Sequence, residues 1–134
     1  MPENKVEFEL VSPEKLLVSK DTDMVVVPGE EGDFGVLPRH APMISTVRPG
    51  VISIYEGKTV SEQIFVAGGV AEVTPTRCTV LAEQAQPISE IDPAVARQSL
   101  QDAKEDLADA KSDAERKSAE RQIAVSTAMI RAIA

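Results

Sequence analysis

Every glycine and every proline of this chain lies at or before Pro93, and the stretch from Ala94 to Ala134 has none. Glycine opens backbone conformations with positive φ, and proline fixes φ and removes a donor. The front of the chain must therefore be turn-rich, and the back can run as uninterrupted helix. The hydrophobic pattern changes at the same place. Val6, Phe8 and Leu10 alternate with Glu7 and Glu9, the period of a half-buried strand. Ser12-Pro13-Glu14 is a turn signal, and Met24 to Val27 is a short apolar run ended by Pro28-Gly29. Val51 to Tyr55 is rich in β-branched residues, and Glu56-Gly57 predicts a hairpin turn into Val60 to Val66. Gly68-Gly69 interrupts before Val70 to Val73, and Thr76-Arg77 turns into Cys78 to Leu81. Short strands punctuated this closely predict a sandwich or barrel over residues 1–88.

Residues 89–134 read as helix. Asp92-Pro93 places an N-cap before a proline at the first helical position, where its missing N–H costs nothing. Ala96, Leu100, Ala103, Leu107 and Ala110 follow a 4-3-4-3 spacing, a narrow apolar seam. Ser112-Asp113-Ala114-Glu115 fits a capping box and opens a second helix, whose own seam is Ala119, Ile123, Ser126, Ile130 and Ile133. A tight connection near Lys111 and Ser112 predicts an antiparallel hairpin. The fold class is thus α+β, mostly β: an N-terminal antiparallel β-sandwich followed by a C-terminal antiparallel two-helix hairpin. Small side chains bury little area, and at about 25 cal/mol per Å² the hairpin seam is weak. Two readings follow with equal weight: a stable hairpin, and one that detaches or unfolds.

Composition bounds the function. Only 3% of residues are aromatic, so the core must be built from Val, Ile, Leu and Ala. The net charge of −8 and the lack of a basic cluster argue against nucleic acid and against direct docking on anionic lipid. The first residues lack the basic-then-apolar pattern of a signal peptide and the arginines of a transit sequence. No apolar run approaches the roughly 20 residues that span a bilayer. The expectation is a cytoplasmic chain that reaches a membrane only through a partner. The single cysteine, Cys78, reads as a buried structural thiol in a strand.

From Pro28 to Pro42 three glycines and three prolines surround the only histidine, which predicts one shaped, rigid loop. This segment, with its His40-Ala41-Pro42 end, resembles the signature of the epsilon subunit of F-type (proton-translocating) ATP synthases. The opening Val6 to Glu14 is similar to that family's first strand and turn. Val47-Arg48-Pro49-Gly50, Val66 to Val73 with its Gly-Gly junction, Val80 to Ala85, and Ile91-Asp92 also match in order, so the likeness covers nearly the whole chain.

The resemblance implies a non-catalytic central-stalk (rotor) subunit that couples rotation to proton translocation and restrains ATP hydrolysis when its helices extend. The implied partners are the gamma subunit, the ring of c subunits and, transiently, the alpha/beta catalytic head. The implied place is the cytoplasmic face of a bacterial inner membrane, peripherally, because no transit peptide is seen. Asp33, Phe34, Arg39 and His40 fall where the family approaches the c-ring, with Arg39 where many relatives have glycine. Val66, Gly68, Gly69 and Val70 fall on the gamma side. Arg116, Lys117, Arg121 and Arg131 on the second helix would meet an acidic segment of beta, whereas the residues alone favour a solvated face balanced by the acidic first helix.

Some family members bind ATP through Ile/Leu-Asp-x-x-Arg-Ala. Here Val95 replaces that arginine and Arg97 lies roughly 200° around the helix, so no ATP site and no other cofactor is expected. One histidine and one distant cysteine do not make a zinc site, and Ser45 or Thr46 beside His40 does not make a nucleophile–base pair. Gly68-Gly69 lacks the Lys-Ser/Thr of a phosphate loop and predicts a bulge or a close backbone approach. The rival reading, a binding module with a dimerising helical hairpin, predicts a homo-oligomer with no affinity for gamma.

Overall fold

The computed structural model describes residues 4–134. The chain divides into two compact units, one through Pro87 and one from Ile88. The first holds ten strands: β1 Val6–Val11, β2 Leu16–Thr22, β3 Met24–Gly29, β4 Gly32–Val36, β5 Met43–Val47, β6 Gly50–Glu56, β7 Thr59–Val66, β8 Gly69–Val73, β9 Arg77–Ala82 and β10 Ala85–Pro87. They follow one hydrogen-bonded path, β10-β7-β6-β3-β5-β8-β9-β1-β2, with β4 beside β3. The path folds over at β3. Residues Met24–Val26 pair with β6, but the far end pairs with β5 through Gly29 and Val47 alone. One layer is therefore β10-β7-β6-β3-β4 and the other β5-β8-β9-β1-β2.

Two strands change layer together. β7 ends at Val66 and β8 begins at Gly69 in the other layer, while β9 and β10 make the reverse crossing through Glu83 and Gln84. The crossings hydrogen-bond to each other: the Ala67 N–H donates to the Gln84 carbonyl at 3.0 Å and the Glu83 N–H to the Gly68 carbonyl at 3.2 Å.

Between the layers lie the inward phases of the strands: Val6, Phe8 and Leu10 of β1, Val25 and Val27 of β3, Ile52 and Ile54 of β6, Ala71 and Val73 of β8, and Cys78 and Val80 of β9. Each is almost wholly buried. At about 1.5–3 kcal/mol for each fully buried large aliphatic or Phe, this layer is what holds the unit together. Burial pushes the Cys78 thiol up to about 12, so it stays protonated and unreactive while folded. The open edge beside β2 is tied by Lys20, whose Nζ lies 2.8 Å from Glu62 Oε1 and 3.5 Å from Glu56 Oε1. Lys5 and the Gly57 N–H both bond Asp23 and hold its carboxyl below the usual range.

The Pro28 to Pro42 segment is not one loop. β3 continues through Pro28 and Gly29, turns over Glu30-Glu31, and returns as β4 with Gly29 opposite Gly32 and Pro28 opposite Asp33. The alternation of half-buried Phe34 and buried Val36 is real, but glycines on both sides hide it in the sequence. Strands β2, β5 and β10 form as well, without the clear alternation that marks β1.

The second unit opens with a 3-10 turn, Ile88–Glu90, followed by helices α1, Pro93–Asp109, and α2, Asp113–Ala132, which pack on one another. Asp92 caps α1 by accepting from the Ala94 N–H at 2.9 Å. Ser112 caps α2 through the Glu115 N–H at 3.1 Å, and Glu115 reaches back to the Lys111 N–H at 3.3 Å, one residue before the usual box partner. Every residue of both expected seams is buried or half-buried. Val125 is also buried, and Thr127, Ala128 and Met129 half-buried, so the shielded face of α2 is wider than the 4-3 seam.

Candidate docking surface

Side chains of the outward phase decide what a sandwich can offer a partner. On the outer face of β5-β8-β9-β1-β2, the strand registers align Thr46 with Val70, Val70 with Leu81, Leu81 with Val11, and Val11 with Leu16. Val70 is 43% exposed, Leu81 56% and Leu16 54%, and Ile44, one row further along β5, is 72% exposed. Neighbouring rows on the same face are charged: Glu72 and Glu9, then Arg77, Glu7 and Asp21. Arg77 is held by Glu7 at 2.9 Å and by Glu9 at 3.4 Å. An apolar row edged by fixed charges is the anatomy of a protein interface, where apolar contact supplies energy and the polar rim sets register.

Of the four residues expected on the gamma side, only Val70 belongs to this row. Val66 is fully buried and points into the core. Gly68 and Gly69 form the layer crossing, at φ 124° and 147°. A Cβ on Gly69 would lie 2.0 Å from the Leu81 carbonyl oxygen, so the close backbone approach occurs here. Leu81, Leu16 and Ile44 do not stand out in the sequence. The available signal is an apolar residue in the outward phase, such as Leu81 between inward Val80 and Ala82.

The four residues expected at the c-ring do not form one patch. Asp33 and Phe34 lie at the hairpin end of β4, near the layer crossing. Arg39 and His40 lie past its other end, beyond about 10 Å of strand at roughly 3.3 Å per residue. Asp33 is exposed and paired with Arg48, Nη2 to Oδ1 at 2.6 Å, and Arg48 Nη1 also donates to the Gly29 carbonyl at 2.5 Å. Phe34 packs against the core. Arg39 is exposed and has φ 67°, the only positive φ outside glycine among the described residues. Its N–H donates to the Pro75 carbonyl at 2.7 Å, and the His40 N–H donates to the Leu37 carbonyl at 3.2 Å. Such a conformation costs an L-residue about 1 kcal/mol or more. His40 Nδ1 lies 2.7 Å from the Ala41 carbonyl oxygen, which places the proton of the neutral ring on Nδ1 and leaves Nε2 free.

The basic residues of α2 share one side. At 100° per residue, Arg131, Lys117 and Arg121 lie about 60°, 100° and 140° around from Arg116, and the seam occupies the arc from about 260° to 340°. All four are exposed. Arg116 pairs with Asp113 at 2.5 Å on its own helix. Among the described residues none pairs with Asp102, Glu105, Asp106 or Asp109 of α1, so the two helices do not cancel each other's charge by direct ion pairs. Among the described residues no helix is long and apolar enough to cross a membrane.

Comparison with known proteins agrees with this architecture unit by unit. Residues 5–88 match the model of the ATP synthase delta/epsilon chain β-sandwich domain, and residues 92–134 match that of the C-terminal domain of the ATP synthase epsilon chain. The ATP synthase epsilon chain of Paramagnetospirillum magneticum is 58% identical over 130 residues, 97% of this chain and 98% of that one. The epsilon chain of Rhodospirillum centenum is 55% identical over 136 residues, 98% of this chain and 93% of that one. A chain of the solved Euglena gracilis mitochondrial ATP synthase, OSCP/F1/c-ring in rotational state 1, superposes with a TM-score of 0.84 at 20% identity, covering 98% of this chain and 82% of that one, a likeness of fold. With both units matched and relatives identical at more than half of their positions end to end, the chain belongs to the ATP synthase epsilon-chain family.

Proposed function

We propose that this chain is a non-catalytic subunit of the central stalk of a bacterial F-type ATP synthase. It binds gamma, rests on the c-ring, and so couples rotation to proton translocation. Its place is peripheral, at the cytoplasmic face of the inner membrane, held there by the complex. The observation that carries this reading is the outer row Val70–Leu81–Val11–Leu16, an apolar strip on a folded sheet that calls for a protein partner. The Euglena neighbour, which sits in an F1/c-ring assembly, supplies the setting.

Leu81 points outward, so Leu81→Glu leaves the core untouched and desolvates a charge only when a partner docks. A tagged chain expressed in its source is expected to co-purify with gamma, alpha, beta and c subunits. Leu81→Glu is expected to weaken that association about 10- to 100-fold. Recovery of the wild-type chain alone, or as a homo-oligomer, transfers the case to a free-standing binding module.

The exposed basic side of α2 motivates a regulatory role: Arg116, Lys117, Arg121 and Arg131 engage an acidic segment of beta and restrain ATP hydrolysis. Five of the ten seam residues, Ala96, Ala103, Ala110, Ala119 and Ser126, are small, which supports a hairpin that can open. Truncation after Glu90 is expected to raise ATP hydrolysis by the assembled complex severalfold, measured as phosphate release. Unchanged hydrolysis with full subunit occupancy removes the inhibitory role. Val95 at the motif-arginine position supports a hairpin whose opening does not answer to ATP.

A further inference from the structure

Arg39 is set apart from the other arginines of the sandwich unit by its lack of an ion pair among the described residues and by its positive φ. The sandwich unit contains three arginines, Arg39, Arg48 and Arg77. Arg48 is spent on Asp33 and the Gly29 carbonyl, and Arg77 on Glu7 and Glu9. Arg39 makes no ion pair among the described residues, in a protein of net charge −8 where carboxylates are plentiful. Its backbone sits at φ 67°, where glycine would be relaxed. The turn around it is stiff: Pro38 and Pro42 flank it, and the Arg39 and His40 N–H groups are both bonded to carbonyls. Leu37, two residues before it, is 55% exposed. A strained backbone that holds an unpaired cation beside an exposed leucine suits contact with something outside the protein.

We propose that Arg39 is a specificity-determining residue of the assembly, its guanidinium pairing with a carboxylate on the partner protein that the β4–β5 turn rests against, with Leu37 as the apolar flank. The inference rests on the central-stalk reading above and names the chemistry of one contact within it. The planar fork of arginine matches a carboxylate with two parallel bonds, and a cation already held in place loses little freedom on binding. A lipid phosphate would fit the same fork, but one cation on a strongly acidic protein is not a membrane patch. Asp33 lies at the hairpin end of β4 and Arg39 past its other end, so the acidic hairpin turn and the basic turn are separate features of the surface.

The test measures binding of the labelled full-length protein to epsilon-depleted ATP synthase from the source membranes, at low and high salt, with thermal melting of the free protein in parallel. Arg39→Gly relieves the backbone and is expected to melt at or slightly above wild type, yet to bind about tenfold more weakly with a shallower salt dependence. Arg39→Glu is expected to bind more weakly still, and Arg39→Lys to recover part of the loss. A residue with a merely structural role would show the reverse: lower melting and unchanged salt dependence. If wild type binds and Arg39→Gly binds equally well at both salt levels, the inference is overturned and the central-stalk reading stands. If wild type does not bind the depleted complex, both fall. If Arg39 instead governs binding to vesicles of equal parts phosphatidylglycerol and phosphatidylcholine, the carboxylate is replaced by a lipid phosphate and the proposal fails.

Discussion

Gly69→Ala is expected to destabilise the protein by about 3–5 kcal/mol, a large share of the stability of a typical domain. Two causes act at one atom. The residue holds φ 147°, which side chains rarely adopt, and the added Cβ would meet the Leu81 carbonyl oxygen at 2.0 Å and Ala82 Cα at 3.0 Å. Both obstacles are backbone, so no rotamer change relieves them. Gly69 also pairs with Val47 on one side and Ala82 on the other, where two strands change layer together. Any shift there also moves Val70 and Leu81, the neighbouring residues of the exposed row. Gly68→Ala is the control: its φ is 124° but its nearest obstacle is the Val47 carbonyl at 3.5 Å, and strain alone predicts about 1–2 kcal/mol. Urea unfolding followed by circular dichroism compares the two, and equal losses would mean that the contact with Leu81 is not what requires glycine at 69.

Phe8→Ala is expected to cost about 3–5 kcal/mol through lost transfer energy and the cavity left behind. Phe8 is fully buried in the middle of β1, between Lys20 of β2 and Cys78 of β9 in register. The sequence has three phenylalanines, one tyrosine and no tryptophan, so few rings are at hand to fill the space, and the surrounding valines and isoleucines are stiff at χ1. Phe8→Leu should retain most of the stability, and a urea midpoint for Phe8→Ala near that of wild type would show that the layers collapse onto the gap.

The helical unit was legible almost residue by residue. Asp92 and Ser112 cap the helices they were expected to cap, and both seams are shielded, because caps and 4-3 spacings act within a few residues of one another. The inward phase of β1 was legible for the same reason: period-2 alternation is local. What escaped was pairing between distant residues. β2 and β5 carry weak alternation and become strands because β1 and β8 present free edges to them. β4 was hidden among Gly29, Gly32 and Gly35, since glycines mark a two-residue turn as readily as a loop. The candidate site suffered most, since Val66 and Val70 are four residues apart yet one lies in the core and the other on the surface.

By itself, the sequence determined the division into a punctuated β unit and a glycine-free helical unit, the helix ends, the inward core of β1, and through ordered motifs the family. Those features depend on short-range backbone preferences and on the order of residues. Only the tertiary structure decided that Leu81 and Leu16 extend the surface on which Val70 lies, that Asp33 and Arg39 part to different ends of β4, and that Arg39 alone of the sandwich arginines has no ion-pair partner among the described residues. Those depend on strand register and on where layers cross, which are set by long-range hydrogen bonding and packing that no local pattern encodes.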